Sequence, residues 1–115
     1  MNDVKAAKKY LSKANSAKTR GLEFDISFAE YKSLIHKKKC FFTGIDVYPS
    51  DGISIKTNTL TIDRIDSRLG YVSGNCVACS DYFNNLKAVI ENDSNDLGFK
   101  DFIKGAEKLK KVLRR

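Results

Sequence analysis

Two short apolar runs, Leu60 to Asp63 and Asn75 to Cys79, bracket a stretch carrying Gly70 and Gly74, and the second run passes straight into a helical pattern. Thr61 and Ile62 are β-branched and favour extended backbone, while the glycines break periodicity between the runs. Ser80 is placed to open a helix through about Glu91, with Phe83, Leu86, Val89 and Ile90 at one-face spacing. Strand, loop over 65–74, returning strand and helix therefore follow one another with no linker. This unit fixes an α+β class.

Helices flank it. Residues 3–19 read as a lysine-rich helix with Val4, Ala7, Leu11 and Ala14 as a narrow apolar stripe, stopped at Arg20-Gly21. Leu22 to Ile26 reads as extended. Ser27 and Glu30 form a capping box for a second helix that turns Phe28, Tyr31, Leu34 and Ile35 inward and ends in His36 to Lys39. Cys40 to Gly44 is apolar and closed by a turn glycine. Residues 45–58 (Pro49, Ser50, Asp51, Gly52, Asn58) read as loop. Asn92 to Asn95 breaks the chain before a last helix over 97–113 with Phe99, Phe102, Ile103, Ala106, Leu109 and Leu113 in register. The whole reads as one domain: N-terminal helices over 1–39, a core over 40–91, and a basic C-terminal helix over 92–115.

Twenty-one cations against 14 anions give a net charge of +7 over 115 residues, concentrated at both ends and at Lys37 to Lys39. Such a surface serves solubility or attracts phosphate backbones. No run is long and apolar enough to span a bilayer, and no leader pattern opens the chain, so a cytoplasmic location is expected, that of the host cell if a phage encodes it. Three cysteines are too few for a disulfide framework. Cys76 and Cys79 have C-x-x-C spacing, but on a strand they point to opposite faces, which argues against structural zinc.

The block Leu60-Thr-Ile-Asp-Arg-Ile-Asp66, Gly70-Tyr-Val-Ser-Gly-Asn75 and Asn84-Asn-Leu-Lys87 resembles the HNH endonuclease family and its ββα-metal unit. In that family an acid ends the first strand, a loop closed by G-Y-x-x-x-N leads into the second, and an N-x-x-K or H-x-x-K turn follows nine residues after the middle asparagine. Asn84 stands nine residues after Asn75 and Lys87 three beyond. Residues 17–27 and 40–44 look like the segments that precede the unit in phage-type members.

The resemblance implies a metal-dependent DNA endonuclease of phage or mobile-element type, with nicking as one mode of action and RNA left open as substrate. Asp63 and Asn84 would hold one Mg²⁺ or Mn²⁺ through oxygen, leaving positions for water and phosphate. Lys87 would steady a phosphate, and Asn75 would brace the loop backbone with an amide that donates and accepts. Taken singly, Asp63 and Asn75 read as turn residues and Asn84 and Lys87 as solvated helix positions. Their joint spacing carries the metal reading.

Two departures matter. Where active members place a general-base histidine this chain has Arg64, which cannot deprotonate water because its pKa exceeds ~12. Asp66, hydroxide generated at the metal, or Tyr71 are the substitutes, with Arg64 as a charge stabilising the phosphate. His36 falls outside the motif and reads as a surface residue. Where many relatives carry two zinc-binding C-x-x-C pairs, the positions hold Cys40, Thr43, Ser80 and Phe83. Packing by Phe41, Phe42, Phe83 and the last helix is expected instead. The competing function is a nuclease-dead binding module, acting as an inhibitor or accessory factor with a protein partner. A helical interaction adaptor would leave the spacing unexplained.

Overall fold

Helix α1 (Asp3–Thr19) starts where Asn2 accepts the Lys5 amide through Oδ1 at 2.9 Å, and it ends at Arg20 with Gly21 in the left-handed region. The computed structural model to which it belongs describes residues 2–49, 58–92 and 97–113. The face α1 buries is not the expected one. Val4 and Leu11 are exposed, and Ala6 and Ala17 are fully buried. Those methyl-sized side chains let the helix approach closely, and Tyr10 fills the space between them. Its ring lies 5.4–5.5 Å from those of Phe24, Phe28 and Tyr31, and its hydroxyl donates to the Ile26 carbonyl.

Ser27 caps α2 (Phe28–Ile35), its Oγ accepting the Glu30 amide at 3.0 Å. Tyr31 and Ile35 face the core. The other half of the capping box is not made. Glu30 instead accepts a hydrogen bond from the Ser73 hydroxyl at 2.9 Å, tying α2 to a turn 43 residues away.

Among the described residues four short strands form two two-stranded sheets. Strand β1 (Phe24–Asp25) runs parallel to β3 (Tyr71–Val72), with Phe24 opposite Tyr71. Strand β2 (Leu60–Arg64) runs antiparallel to β4 (Cys76–Ser80), in the register Leu60 to Ser80 and Arg64 to Cys76. The loop expected over 65–74 is thus interrupted by β3. Gly70 permits that docking, because a Cβ there would lie 2.5 Å from the Glu23 carbonyl oxygen. Across the other edge of β4, the Phe41 amide bonds to the Ala78 carbonyl.

Buried Leu60, Ile62, Val77, Ala78, Tyr31 and Ile35 make the centre of this unit, with Cys40 and Cys79 among them at a sulfur separation of 3.7 Å. Of the four positions compared with zinc-binding pairs, Cys40 thus faces Cys79, a cysteine outside that set. Phe41, expected to pack there, is exposed and only meets the edge of Phe42. Cys76 turns elsewhere, toward the Val72 carbonyl.

Residues 1–82 form one compact unit and 83–115 a second, a division inside α3 (Asp81–Ile90) for which no linker composition gives a signal. Ser80, expected to open the helix, directly precedes α3 as the last residue of β4, and its hydroxyl donates to Asn58 Oδ1. Helix α4 spans Phe99–Leu113. Neither α3 nor α4 contains a buried residue, so the apolar faces read from Leu86, Val89, Phe99 and Leu109 stay exposed among the described residues. Residues 50–57 of the loop read over 45–58, residues 93–95 of the break read from Asn92, and Arg114 and Arg115 lie outside those residues. The architecture is a small α+β fold.

Candidate active site

Four of the sequence-derived residues, Asp63, Arg64, Asp66 and Asn75, come together around the loop from β2 to β4. Asn75 organises it. This buried residue accepts the Asp66 amide through Oδ1 at 2.9 Å and donates through Nδ2 to the Asp66 carbonyl at 3.1 Å and the Gly70 carbonyl at 2.9 Å. Gly74, with φ of 85°, supplies the backbone turn that aims the amide inward. One side chain thus satisfies three backbone groups of a loop that has few ladder partners of its own.

Asp63, expected to end the strand, lies one residue inside the end of β2, half-buried and opposite Val77. Adjacent strand positions project to opposite faces, so Thr61 and Asp63 share one face while Leu60, Ile62 and Arg64 share the other. Arg64 accordingly turns into the loop. Its Nη1 donates to the Ser67 carbonyl at 2.7 Å and the Leu69 carbonyl at 2.8 Å, and the guanidinium lies 5.4 Å from the Tyr71 ring centre. Arg64, where the sequence resemblance led us to look for a base, is a strut for the loop.

The other candidates for proton removal are also engaged. Asp66 accepts the Arg68 amide at 2.9 Å, and its two oxygens take a bidentate pair from the Arg68 guanidinium at 3.0 and 2.9 Å. Tyr71 is buried beneath cations: Arg20 donates to its hydroxyl at 3.4 Å and the Lys13 ammonium sits 4.9 Å from its ring centre. Burial pushes this phenol up, but the charges and hydrogen bonds of Lys13 and Arg20 outweigh it and leave the hydroxyl below its usual 10.0.

Asn84 and Lys87 stand one turn apart on α3, in the second unit. Lys87 is nearly buried as a side chain and pairs with Glu91 at 2.8 Å. His36 is exposed, with Nδ1 2.7 Å from the Lys32 carbonyl, as a surface residue should be.

Asp63 carries a carboxylate in the first unit and Asn84 an amide oxygen in the second, both oxygen donors of the kind hard cations take. The three cysteines sit in different settings. Burial, and then the Glu30 carboxylate, push the Cys76 thiol up to about 11, while Cys40 and Cys79 face each other inside the core. Burial also raises Cys40, yet hydrogen bonds from Thr43 and from the backbones of Ser80, Thr43 and Phe42 bring it down to about 7.

Sequence reasoning passed over two features. Glu30 keeps one buried oxygen, Oε2, without a hydrogen-bond partner, and nothing in its capping pattern announces this. The second is a cleft of about 320 Å³ between α1, α2 and β2, lined by Lys9, Ser12, Lys13, Ser16, Tyr31 and residues 60–62. Its signal was present in the i, i+4 spacing of Lys9 with Lys13 and Ser12 with Ser16.

No protein-family profile matches the chain, and no solved structure matches it. It is 28% identical over 88 residues, 76% of its length, to an uncharacterised 29.0 kDa protein from the dda–modA intergenic region of Enterobacteria phage T4. The chain spans about a third (34%) of that relative's length. Among the described residues no helix is long and apolar enough to cross a membrane.

Proposed function

We propose that this chain is a metal-dependent DNA endonuclease of the HNH type, phage-related and working in the host cytoplasm, that hydrolyses one phosphodiester of its substrate. The observation that carries the reading is the Asn75 brace. It locks the loop between the strand bearing Asp63 and the strand that runs directly into the helix bearing Asn84 and Lys87. A dedicated buried amide at that position is what a unit needs to hold a carboxylate at a fixed place. The net charge of +7 and the phage origin of the T4 relative fit a nucleic-acid substrate.

In this reading Asp63 and Asn84 would hold a single Mg²⁺ or Mn²⁺. When bound, the ion supplies charge neutralisation at the phosphate and lowers the pKa of water. Arg64 and Asn75 act on the backbone that positions Asp63, and Lys87 offers its ammonium to a phosphate oxygen by exchanging out of its pair with Glu91. RNA as substrate remains the comparison arm.

A second reading has an observation in its favour. Arg64 and Asp66 both spend their polar atoms on the loop. A protein relieved of catalysis, binding nucleic acid or a protein partner as an inhibitor or accessory factor, would keep those bonds.

Supercoiled plasmid separates the two. Wild-type protein with Mg²⁺ or Mn²⁺ is expected to give nicked circles, and EDTA, Asp63→Ala and Asn84→Ala are each expected to abolish them. Plasmid binding without nicking, unchanged in both variants, sinks the nuclease reading and leaves the binding module.

A further inference from the structure

Cys40 and Cys79 are 39 positions apart in sequence, and their sulfurs lie 3.7 Å from each other, in van der Waals contact. The backbone brings them together. The Phe41 amide bonds to the Ala78 carbonyl, so the chain at residues 40–41 runs beside β4 and the two cysteines flank that hydrogen bond. To form a disulfide the sulfurs need only close by about 1.7 Å, to the ~2.05 Å of the bond.

Buried cysteines ordinarily serve as small hydrophobic side chains. The setting of Cys40 is not that of a hydrophobe. Burial pushes its thiol up, but hydrogen bonds to the sulfur from the Thr43 hydroxyl and the amides of Ser80, Thr43 and Phe42 outweigh it and bring it down to about 7. The thiolate is the reactive form of cysteine. Its cover is thin, because Phe41, Thr43, Gly44 and Ile45 in the turn that follows are all exposed, and an oxidant hardly larger than water has one turn to pass. Cys79 keeps its proton, with the thiol donating to the Ser80 carbonyl at 3.3 Å. The third cysteine is a built-in comparison. Three residues before Cys79 on the strand, Cys76 points to the other face and toward the Val72 carbonyl, and burial followed by the Glu30 carboxylate pushes its thiol up to about 11.

We infer that Cys40 and Cys79 are a reversible redox pair, oxidised by peroxide to an intramolecular disulfide. The Cys40 thiolate attacks one peroxide oxygen. The O–O bond breaks, hydroxide leaves, and the sulfur, having given up two electrons, becomes a sulfenic acid. The Cys79 thiol then attacks the Cys40 sulfur. The S–S bond forms, and the sulfenic hydroxyl leaves with the Cys79 proton as water. A dithiol restores both thiols by exchange, itself becoming a cyclic disulfide. The disulfide ties the turn after α2 to β4 and closes a ring that contains all of β2, whether or not the chain cuts nucleic acid.

The test is to treat native full-length protein with a modest excess of hydrogen peroxide at neutral pH and then alkylate it in denaturant. The expected product is a monomer lighter by the mass of two hydrogens before alkylation. It should take one alkyl group, at Cys76, and its peptides containing Cys40 and Cys79 should be joined. Dithiothreitol should restore all three alkylatable thiols. The oxidised protein should melt about 10 °C higher, because the cross-link constrains the unfolded chain. Cys79→Ala should lose the cross-link and leave Cys40 as a sulfenic acid that dimedone traps, whereas Cys76→Ser should cross-link as wild type does. Peptide mapping of the wild-type protein needs neither variant to fold.

Three thiols that survive peroxide unchanged, a Cys76–Cys79 or intermolecular disulfide, or Cys40 carried to sulfinic acid while Cys79 stays free, each overturns the inference. A disulfide that forms only with loss of the folded state, read as a lower midpoint, overturns it too.

Discussion

Asn75 and Asp66 exchange two hydrogen bonds through a single side chain, Oδ1 accepting the Asp66 amide at 2.9 Å and Nδ2 donating to the Asp66 carbonyl at 3.1 Å. A backbone unit nine positions away is thereby satisfied on both sides, much as a strand partner would satisfy it. Asn75→Ala leaves that amide, that carbonyl and the Gly70 carbonyl without this partner in a largely buried setting. It should cost ~2–4 kcal/mol, read as a lower urea midpoint at unchanged slope. Asn75→Asp keeps the acceptor but turns a carboxylate oxygen toward two carbonyls, and should be at least as damaging. Variants as stable as wild type would mean the brace is redundant.

Arg64 offers a sharper test, because its position invites repair to histidine. Arg64→His removes the bonds to the Ser67 and Leu69 carbonyls. These are exposed bonds, so the loss should be about 1 kcal/mol, or roughly 4–8 °C in Tm. The side chain leaves β2 on the face opposite Asp63, so plasmid nicking should not rise above wild type. A tenfold gain would show that an imidazole there reaches the attacking water after all.

Gly70 and Gly21 should respond differently to alanine. A Cβ at Gly70 meets Glu23 backbone and Cβ atoms at 2.5–2.9 Å, so Gly70→Ala must push β3 off β1 and should cost several kcal/mol. At Gly21 nothing lies within 4 Å, and only its φ of 71° resists substitution. Gly21→Ala should cost about 1–2 kcal/mol. Equal effects in thermal melts would contradict the close approach of the loop to β1.

Cys40 and Cys76 set opposite slopes in the pH dependence of stability. Between about 7 and the unfolded value of 9.0 the folded chain has lost the Cys40 proton while the unfolded chain retains it, so stability rises with pH. Between 9.0 and about 11 the folded chain holds the Cys76 proton that the unfolded chain has lost, so stability falls. Cys40→Ser should flatten the rise and Cys76→Ser the fall, each by ~2–3 kcal/mol across its window. Urea midpoints at pH 7, 9 and 10.5 check both, and a rise that survives Cys40→Ser would reject the assignment.

Much of the local architecture was legible in the residues. The Ser27 cap, the stop at Gly21, the short extended piece before Ser27 and the strands around Ile62 and Ala78 follow from side-chain chemistry and periodicity, and the amide of Asn75 announced its own bridging capacity. The burial face of α1 was misread because hydropathy favours Val4 and Leu11, whereas packing favoured Ala6 and Ala17, whose smallness admits the aromatic cluster around Tyr10. Pairing of Phe24 with Tyr71 joins segments 47 positions apart, and neither segment carries a pattern that selects the other. The roles of Glu30, drawn to Ser73, and of Arg64, drawn into the loop, were hidden for the same reason: each is decided by a partner outside its own element.

That parallel pairing also fixes an order of events in folding. The β2–β4 ladder joins near neighbours in sequence, but β3 has nothing to dock on until β1 arrives from beyond the second helix. Closing so large a ring is entropically slow compared with forming a hairpin. A fragment starting at residue 40 would therefore keep the ladder yet lack the wall that seats Gly70 and Tyr71. The N-terminal helices would then serve as a mould for the loop, and amide protection at residues 70–72 would report whether that mould is in place.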